Sequence, residues 1–173
     1  MAGLRVLGID PGGRYTGYGV IERGPGGLVY VECGVVAPRA DATLPVRLRE
    51  IGAGLGEVIE ELRPDVVALE DVFHGAHARS ALRLGHARGV AMYVAAQHGL
   101  LVHEYPPARV RKTVLGHGGA TKGEVAVIVR AVCGLERTPR ADAVDALAVA
   151  LCHVLAGATP AVPRRPRLRR RRA

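Results

Sequence analysis

The chain predicts an α/β fold, a five-stranded mixed β-sheet flanked by α-helices. Three observations carry that reading. Two apolar runs, Leu4-Arg5-Val6-Leu7-Gly8-Ile9 and Asp65-Val66-Val67-Ala68-Leu69, read as buried parallel-type strands bounded by Gly and Pro. Short Gly-rich turns near the N-terminus join three strands into an antiparallel meander. From Pro45 onward the apolar spacing switches from the strand period to the helix period. The element order is βββ-α-β-α-β, then helices.

Each element has its own signal. Strand 1 spans about Leu4–Asp10 and ends at the turn Asp10-Pro11-Gly12-Gly13. Thr16–Glu22 is the next strand, Gly24-Pro25-Gly26-Gly27 a second turn, and Leu28–Val36 the third strand. Between Pro45 and Leu62, residues Leu48, Ile51, Leu55, Val58, Ile59 and Leu62 fall on one helical face. Gly52, Gly54 and Gly56 weaken that helix, so packing must hold it. Pro64 stops it and leads into the strand ending at Glu70. A long helix covers roughly Arg79–His98, and Leu100–Tyr105 is a strand closed by Pro106-Pro107. Thr121-Lys122-Gly123-Glu124 has capping-box spacing, and Gly134 stops the helix it opens. Thr138 and Pro139 offer an N-cap and first-turn pair for a last helix to about Ala156.

Composition bounds the function classes. At 173 residues, 49% of them apolar, the chain fits one domain with a real core. We expect that domain over 1–157, followed by a disordered Arg/Pro-rich tail over 158–173. The net charge is +8, but seven of the arginines lie in 163–172, which contains no acid. The body is therefore near neutral, and any basic surface on it must be a local patch. The tail is a polycation suited to nucleic acid or an acidic partner, or to solubility alone. Cys33, Cys133 and Cys152 have no metal-ligand or disulfide-scaffold spacing, which suits a reducing cytoplasm. No run approaches a membrane span, and the immediate first strand leaves no room for a signal peptide.

The chemistry concentrates in four carboxylates. Asp10 and Glu70 terminate the two central strands, while Asp142 and Asp145 lie three apart and share a helix face. Acids so placed can converge. At about 4 Å and an effective dielectric of about 20, each unneutralised pair would cost roughly 4 kcal/mol. Hard divalent cations with oxygen ligands remove that cost, Mg²⁺ first among them. Singly, the signals are weak: Asp-Pro-Gly turns are common, and acids favour helix N-termini. Their conjunction is far more specific. Asp71 falls on the opposite sheet face from Glu70 and is not counted with them.

The residues Gly8-Ile9-Asp10-Pro11-Gly12, Glu70 with Phe73, Ala81 through Ala91, and Asp142 through Ala148 resemble the RuvC family of bacterial Holliday-junction resolvases. The likeness runs in order from residue 4 to about 155. It implies an RNase H-like fold, a homodimer, and Mg²⁺-dependent nicking of four-way DNA junctions in recombination and repair. It also implies that Asp10, Glu70, Asp142 and Asp145 are catalytic metal ligands. Some members carry His at the position of Asp142; this chain has the all-carboxylate version. Two Mg²⁺ ions, for which Mn²⁺ can substitute, would stand roughly 3.5–4 Å apart on the scissile phosphate. Hydrolysis would then leave 5′-phosphate and 3′-hydroxyl ends.

The same resemblance places an aromatic at Phe73, stacking into the opened junction, and basic residues at Arg111 and Lys122 near the scissile phosphate. Arg111 stands where lysine is common, which keeps charge but changes donor geometry. Stacking would contribute about 1–3 kcal/mol, although Phe73 also fits a core position. Lys122 opens a helix, where a cation is locally unfavourable, and this favours a functional role, catalytic and DNA-binding. Lys112, Arg79 and Arg83 join the candidate DNA contacts. Arg79, Arg83 and Arg88 either line a DNA path or form a solvated helix face, Arg109 flanks the Gly116-His117-Gly118-Gly119 loop, and His117 reads as a solvated loop residue. Ala81, Gly85 and Gly89 recur every four residues, which suits either a partner helix or the chain's own sheet. Partnership with the RuvA–RuvB branch-migration complex follows from the resemblance only. The rival readings are an RNA–DNA hybrid nuclease, a nucleotide-binding kinase or ATPase, and a non-catalytic junction-binding module.

Overall fold

The computed structural model describes residues 3–71, 78–117, 119 and 121–157, with the side chains of Ala78 and Arg79 set aside. The elements are β1 (Leu4–Asp10), β2 (Thr16–Gly24), β3 (Gly27–Val36), α1 (Leu44–Leu62), β4 (Val66–Glu70) and α2 (Ala78–Gln97). They continue with β5 (Leu101–Tyr105), α3 (Pro107–Leu115), α4 (Lys122–Val132) and α5 (Ala141–Ala156). The five strands form one sheet in the order β3-β2-β1-β4-β5. The first three pair antiparallel, while β1–β4 and β4–β5 pair parallel. The mixed five-stranded sheet expected from the sequence is therefore present.

Strand alternation divides the core in two. Leu7, Ile9, Val20, Val67 and Leu69 face one side and pack with Ile51, Leu55, Ala91 and Val94 of α1 and α2. Val6, Val66 and Ala68 face the other, against Val125 and Val129 of α4 and the apolar length of α5. Helix α5 is buried nearly all round, from Ala143 to Val154 apart from Asp145. A helix in that position must be apolar on every side, which explains the run Ala146-Leu147-Ala148-Val149-Ala150-Leu151.

Glycines seat α5 directly on the sheet. A Cβ at Gly17 would stand 2.0 Å from the Asp142 carbonyl oxygen, and one at Gly8 2.0 Å from that of Ala146. Gly19, paired with Gly8 across β1–β2, would meet Leu147 at 2.6 Å. This trough brings the N-terminus of α5 over the ends of β1 and β4. By alternation, Asp10 shares the face of Gly8, and Glu70 that of Ala68, so both acids look toward α5.

Two boundaries differ from the sequence reading. Pro107 starts a helix, α3, where Pro106-Pro107 was expected only to end a strand; proline suits the first helical position because it has no N–H to leave unpaired there. Helix α5 is capped by Arg140 and begins at Ala141, leaving Thr138 and Pro139 outside it. The α4 capping box forms as expected, with Thr121 and Glu124 bonding reciprocally. Gly52 and Gly54 admit Val90 and Val36 against α1, the packing that offsets its weak helix propensity. All three cysteines are free. Among the described residues, no helix is long and apolar enough to cross a membrane.

Candidate active site

Asp10 is the centre of the candidate site. Burial, and then the adjacent Glu70 carboxylate, push its pKa up to about 8, with Asp145 and Asp142 adding to the shift. At neutral pH it therefore holds its proton and donates a hydrogen bond to Glu70. Burial also raises Glu70, offset by that bond and by the charges of Lys122 and Arg111. The other three acids are thus near enough to act on Asp10 electrostatically. The four do not form a closed cage: among the described residues, no three Asp, Glu, His or Cys groups gather as a ready-made ion site. The expected convergence is an open cluster around Asp10. The acids' mutual repulsion is offset here by the Asp10 proton and by Lys122.

Lys122, the first residue of α4, places Nζ 2.9 Å from Asp145 Oδ2. That hydrogen bond raises the Lys122 pKa. The structure thus resolves the conflict of a cation at a helix start, since its counter-charge lies on α5. Arg111 of α3, Lys122, Glu70 and Asp145 line one cleft of about 200 Å³, floored by Val110, Val125 and Ala148. On the opposite flank, Arg140 Nη2 lies 4.0 Å from Asp142 Oδ2. The Arg140 guanidinium also stacks 4.0 Å above the Tyr15 ring, with Arg14 5.4 Å from the same ring. A hydrogen bond from Arg140 lowers the Tyr15 pKa.

The loop after Asp10 is tightly closed. Thr16, fully buried, donates from Oγ1 to the Gly12 carbonyl at 2.9 Å. A Cβ on Gly12 would stand 2.1 Å from the Tyr15 carbonyl oxygen, so glycine is required there.

Other candidate residues distribute differently. Lys112 is exposed on α3, one residue away from Arg111, and does not line the carboxylate cleft. Arg83 lies on α2 beside Gly13, away from the acids. Phe73 lies outside the described residues, as does the Arg79 side chain. Arg88 is tied to Glu104 and to Asp71, the latter at 3.5 Å, so it braces α2 against β5. Asp71 is thereby spoken for, in keeping with its exclusion from the ligand set. Arg109 stacks on Tyr105 at 5.2 Å. Sequence reasoning missed Tyr15, Arg140, Arg14 and Arg47; only Arg140, two residues before Asp142, carried a readable signal.

A sheet ordered 3-2-1-4-5, with acids ending adjacent central strands and a third element delivering two more, is the arrangement of the RNase H-like fold class. Hard oxygen donors without thiol or imidazole are a set for phosphodiester chemistry. The family model described as crossover junction endodeoxyribonuclease RuvC matches residues 6–153, and the chain belongs to that family. It is 46% identical over 148 residues to the enzyme of that name from Citrifermentans bemidjiense, covering 86% of this chain and 90% of the relative. The enzyme of the same name from Sorangium cellulosum is 44% identical over 177 residues, covering 98% and 99%. Thermus thermophilus RuvC, solved in complex with a Holliday junction substrate, superposes with a TM-score of 0.83 at 35% identity, covering 88% of this chain and 94% of that one. The hybrid-nuclease and kinase readings are not favoured by these likenesses.

Proposed function

We propose that this chain resolves four-way DNA junctions by paired symmetric nicks, acting as a cytoplasmic homodimer in recombination and repair. The carrying observation is the Asp10-centred carboxylate cluster with Lys122 set against it. Membership in the crossover-junction family supports the substrate, and a solved relative holds such a junction.

Asp10, Glu70, Asp142 and Asp145 would hold the metal, Mg²⁺ as the working ion and Mn²⁺ as a substitute, with two ions per site. The donor chemistry fits: every group offers hard oxygen, and the raised Asp10 pKa, caused first by burial, also contains a repulsion from Glu70, Asp145 and Asp142 that a cation would relieve. When bound, a divalent cation makes water a competent nucleophile and stabilises charge on the departing oxygen. The residues of this chain supply the rest. Lys122 fixes the Asp145 carboxylate and, with Arg111, presents positive charge to the phosphate entering the cleft. Arg140 balances Asp142 from the other flank. The glycine trough fixes α5, and with it two of the four acids, relative to Asp10 and Glu70. Phe73, Arg79, Arg83 and Lys112 remain proposed DNA contacts.

The homodimer is supported by α2. Ala81, Gly85 and Gly89 are exposed, and among the described residues no atom beyond the helix's own backbone and chain neighbours lies within 4 Å of a Cβ placed at either glycine. The chain's own sheet leaves the stripe uncovered among the described residues, which supports a partner helix as its cover. Leu82 and Tyr93, each 63% exposed, flank it. A branch-migration complex of the RuvA–RuvB type is the proposed further partner, and the 158–173 segment a nonspecific DNA tether.

The test is incubation with synthetic four-way junction, plain duplex and RNA–DNA hybrid, in Mg²⁺ and in chelator. Paired nicks in the junction alone, abolished by chelator, are expected. Hybrid cleavage without junction cleavage would reverse the assignment.

A further inference from the structure

A second basic cavity lies across the Asp10 loop from the carboxylate cleft. It measures about 750 Å³ and is walled by the β1–β2 loop, the start of α1 and the first turns of α2. Arg14, Arg47 and Arg83 line it, with Ser80 as a further hydroxyl donor. Among the described residues lining it, none is acidic. In a body whose charge is near neutral, three guanidiniums on one uncompensated cavity call for an external anion.

Arg47 supplies the second, independent observation. Its Nη2 donates to the Gly13 carbonyl, which locks the guanidinium against the loop that follows Asp10. Its Nε is buried and has no hydrogen-bond partner. A buried charged N–H without an acceptor is costly, so the fold leaves the hydrogen-bonding capacity of this cavity-lining guanidinium incompletely used. Arg83 lies beside the same loop, its Cβ 3.9 Å from where a Cβ on Gly13 would stand. Arg14 continues the basic surface toward Tyr15 and Arg140.

Position identifies the anion. Gly13 is only three residues beyond Asp10, so a strand with its scissile phosphate at the acids passes this loop. Lys122 and Arg111 belong to the α5 side of the sheet, whereas Arg47 and Arg83 belong to the α1–α2 side. We infer that the Arg14–Arg47–Arg83 cavity binds a backbone phosphate of the junction strand flanking the one that is cut. Guanidinium forks match the non-bridging phosphate oxygens. Such a contact sets the register of the strand and reads no base. The inference rests on the junction-nuclease reading.

The experiment measures junction binding by fluorescence anisotropy in Ca²⁺ over a salt series, for the parent chain, Arg47→Gln, Arg83→Gln and Arg83→Lys. Each Gln variant is expected to reduce the slope of log K against log salt by about 0.9, one phosphate contact, while Arg83→Lys retains it. Junctions carrying one neutral methylphosphonate linkage at successive positions beside the nick then locate the contact. At one linkage the parent should lose affinity and Arg83→Gln should lose none further. Gln variants with parental slope and parental methylphosphonate sensitivity would overturn the inference alone. A parent chain that neither binds nor nicks the junction would overturn the function reading itself. Arg83 is exposed on α2, so its variants keep the test open if Arg47→Gln fails to fold.

Discussion

Lys122 illustrates how a single side chain can matter to the site without mattering to the fold. It sits 2.9 Å from Asp145, yet its side chain is 82% exposed. A pair so well solvated adds little stability. Lys122→Met is therefore expected to change folding stability by less than about 0.5 kcal/mol, as read by urea denaturation. Single-turnover nicking should fall about 10–100-fold. His153 is the opposite case. It is fully buried, accepts or donates at Nδ1 with the Tyr105 hydroxyl at 2.8 Å, and leaves Nε2 unpartnered. Burial, then the neighbouring His103, lowers its pKa from 6.5 to about 4. Between those values the unfolded chain binds a proton that the folded chain refuses. Its contribution is full above about 6.5 and is lost as pH falls toward 4, with a slope of up to about 1.4 kcal/mol per pH unit. Denaturant midpoints across that window should show this slope, and His153→Gln should flatten it.

Helix α5 is the element on which the site depends, because it carries two acids and rests on bare backbone. Gly17→Ala would force a Cβ to 2.0 Å from the Asp142 carbonyl oxygen. Overpacking of that kind costs about 1–3 kcal/mol, and it should shift Asp142 and Asp145 and depress nicking. Gly24→Ala, where nothing lies within 4 Å, serves as the control and should do neither. The strands and most helices were readable because each buries one regular face, as the split core shows. Helix α3 was not readable. Val110 is its one fully buried residue, Val114 and Leu115 are only partly buried, Arg109, Arg111 and Lys112 interrupt the apolar pattern, and its opening prolines read equally as a stop. The start of α5 was misread for a related reason: Thr138-Pro139 is a good local cap, but the seat in the glycine trough sets where α5 begins.

At the scale of the whole molecule, two symmetric nicks require two sites, and α2 offers the open surface for joining them. Gly85→Glu should improve intrinsic helix propensity and leave the fold intact, yet halve the sedimentation mass and convert paired nicks to single ones. An unchanged mass would count against α2 as the contact of the proposed homodimer. The candidate site was largely legible because strand parity and helix spacing are both local rules, sufficient to turn Asp10, Glu70, Asp142 and Asp145 toward one another. What sequence could not supply was assembly across distant segments. Arg14, Arg47 and Arg83 come from a loop and two helices, and nothing in their spacing announces a shared cavity. Nor did the sequence disclose that the acids stand as an open cluster, with a proton on Asp10 and Lys122 on Asp145.

The most direct measurement is single-turnover nicking of a synthetic four-way junction in Mg²⁺ by Asp10→Asn, Glu70→Gln, Asp142→Asn and Asp145→Asn, each made alone. A shared cation site predicts that every variant loses more than about 100-fold in rate while binding the junction in Ca²⁺ at parental affinity. Parental nicking by any of the four would show that the acid concerned stands apart from the reacting phosphate, and the single-site account would fail.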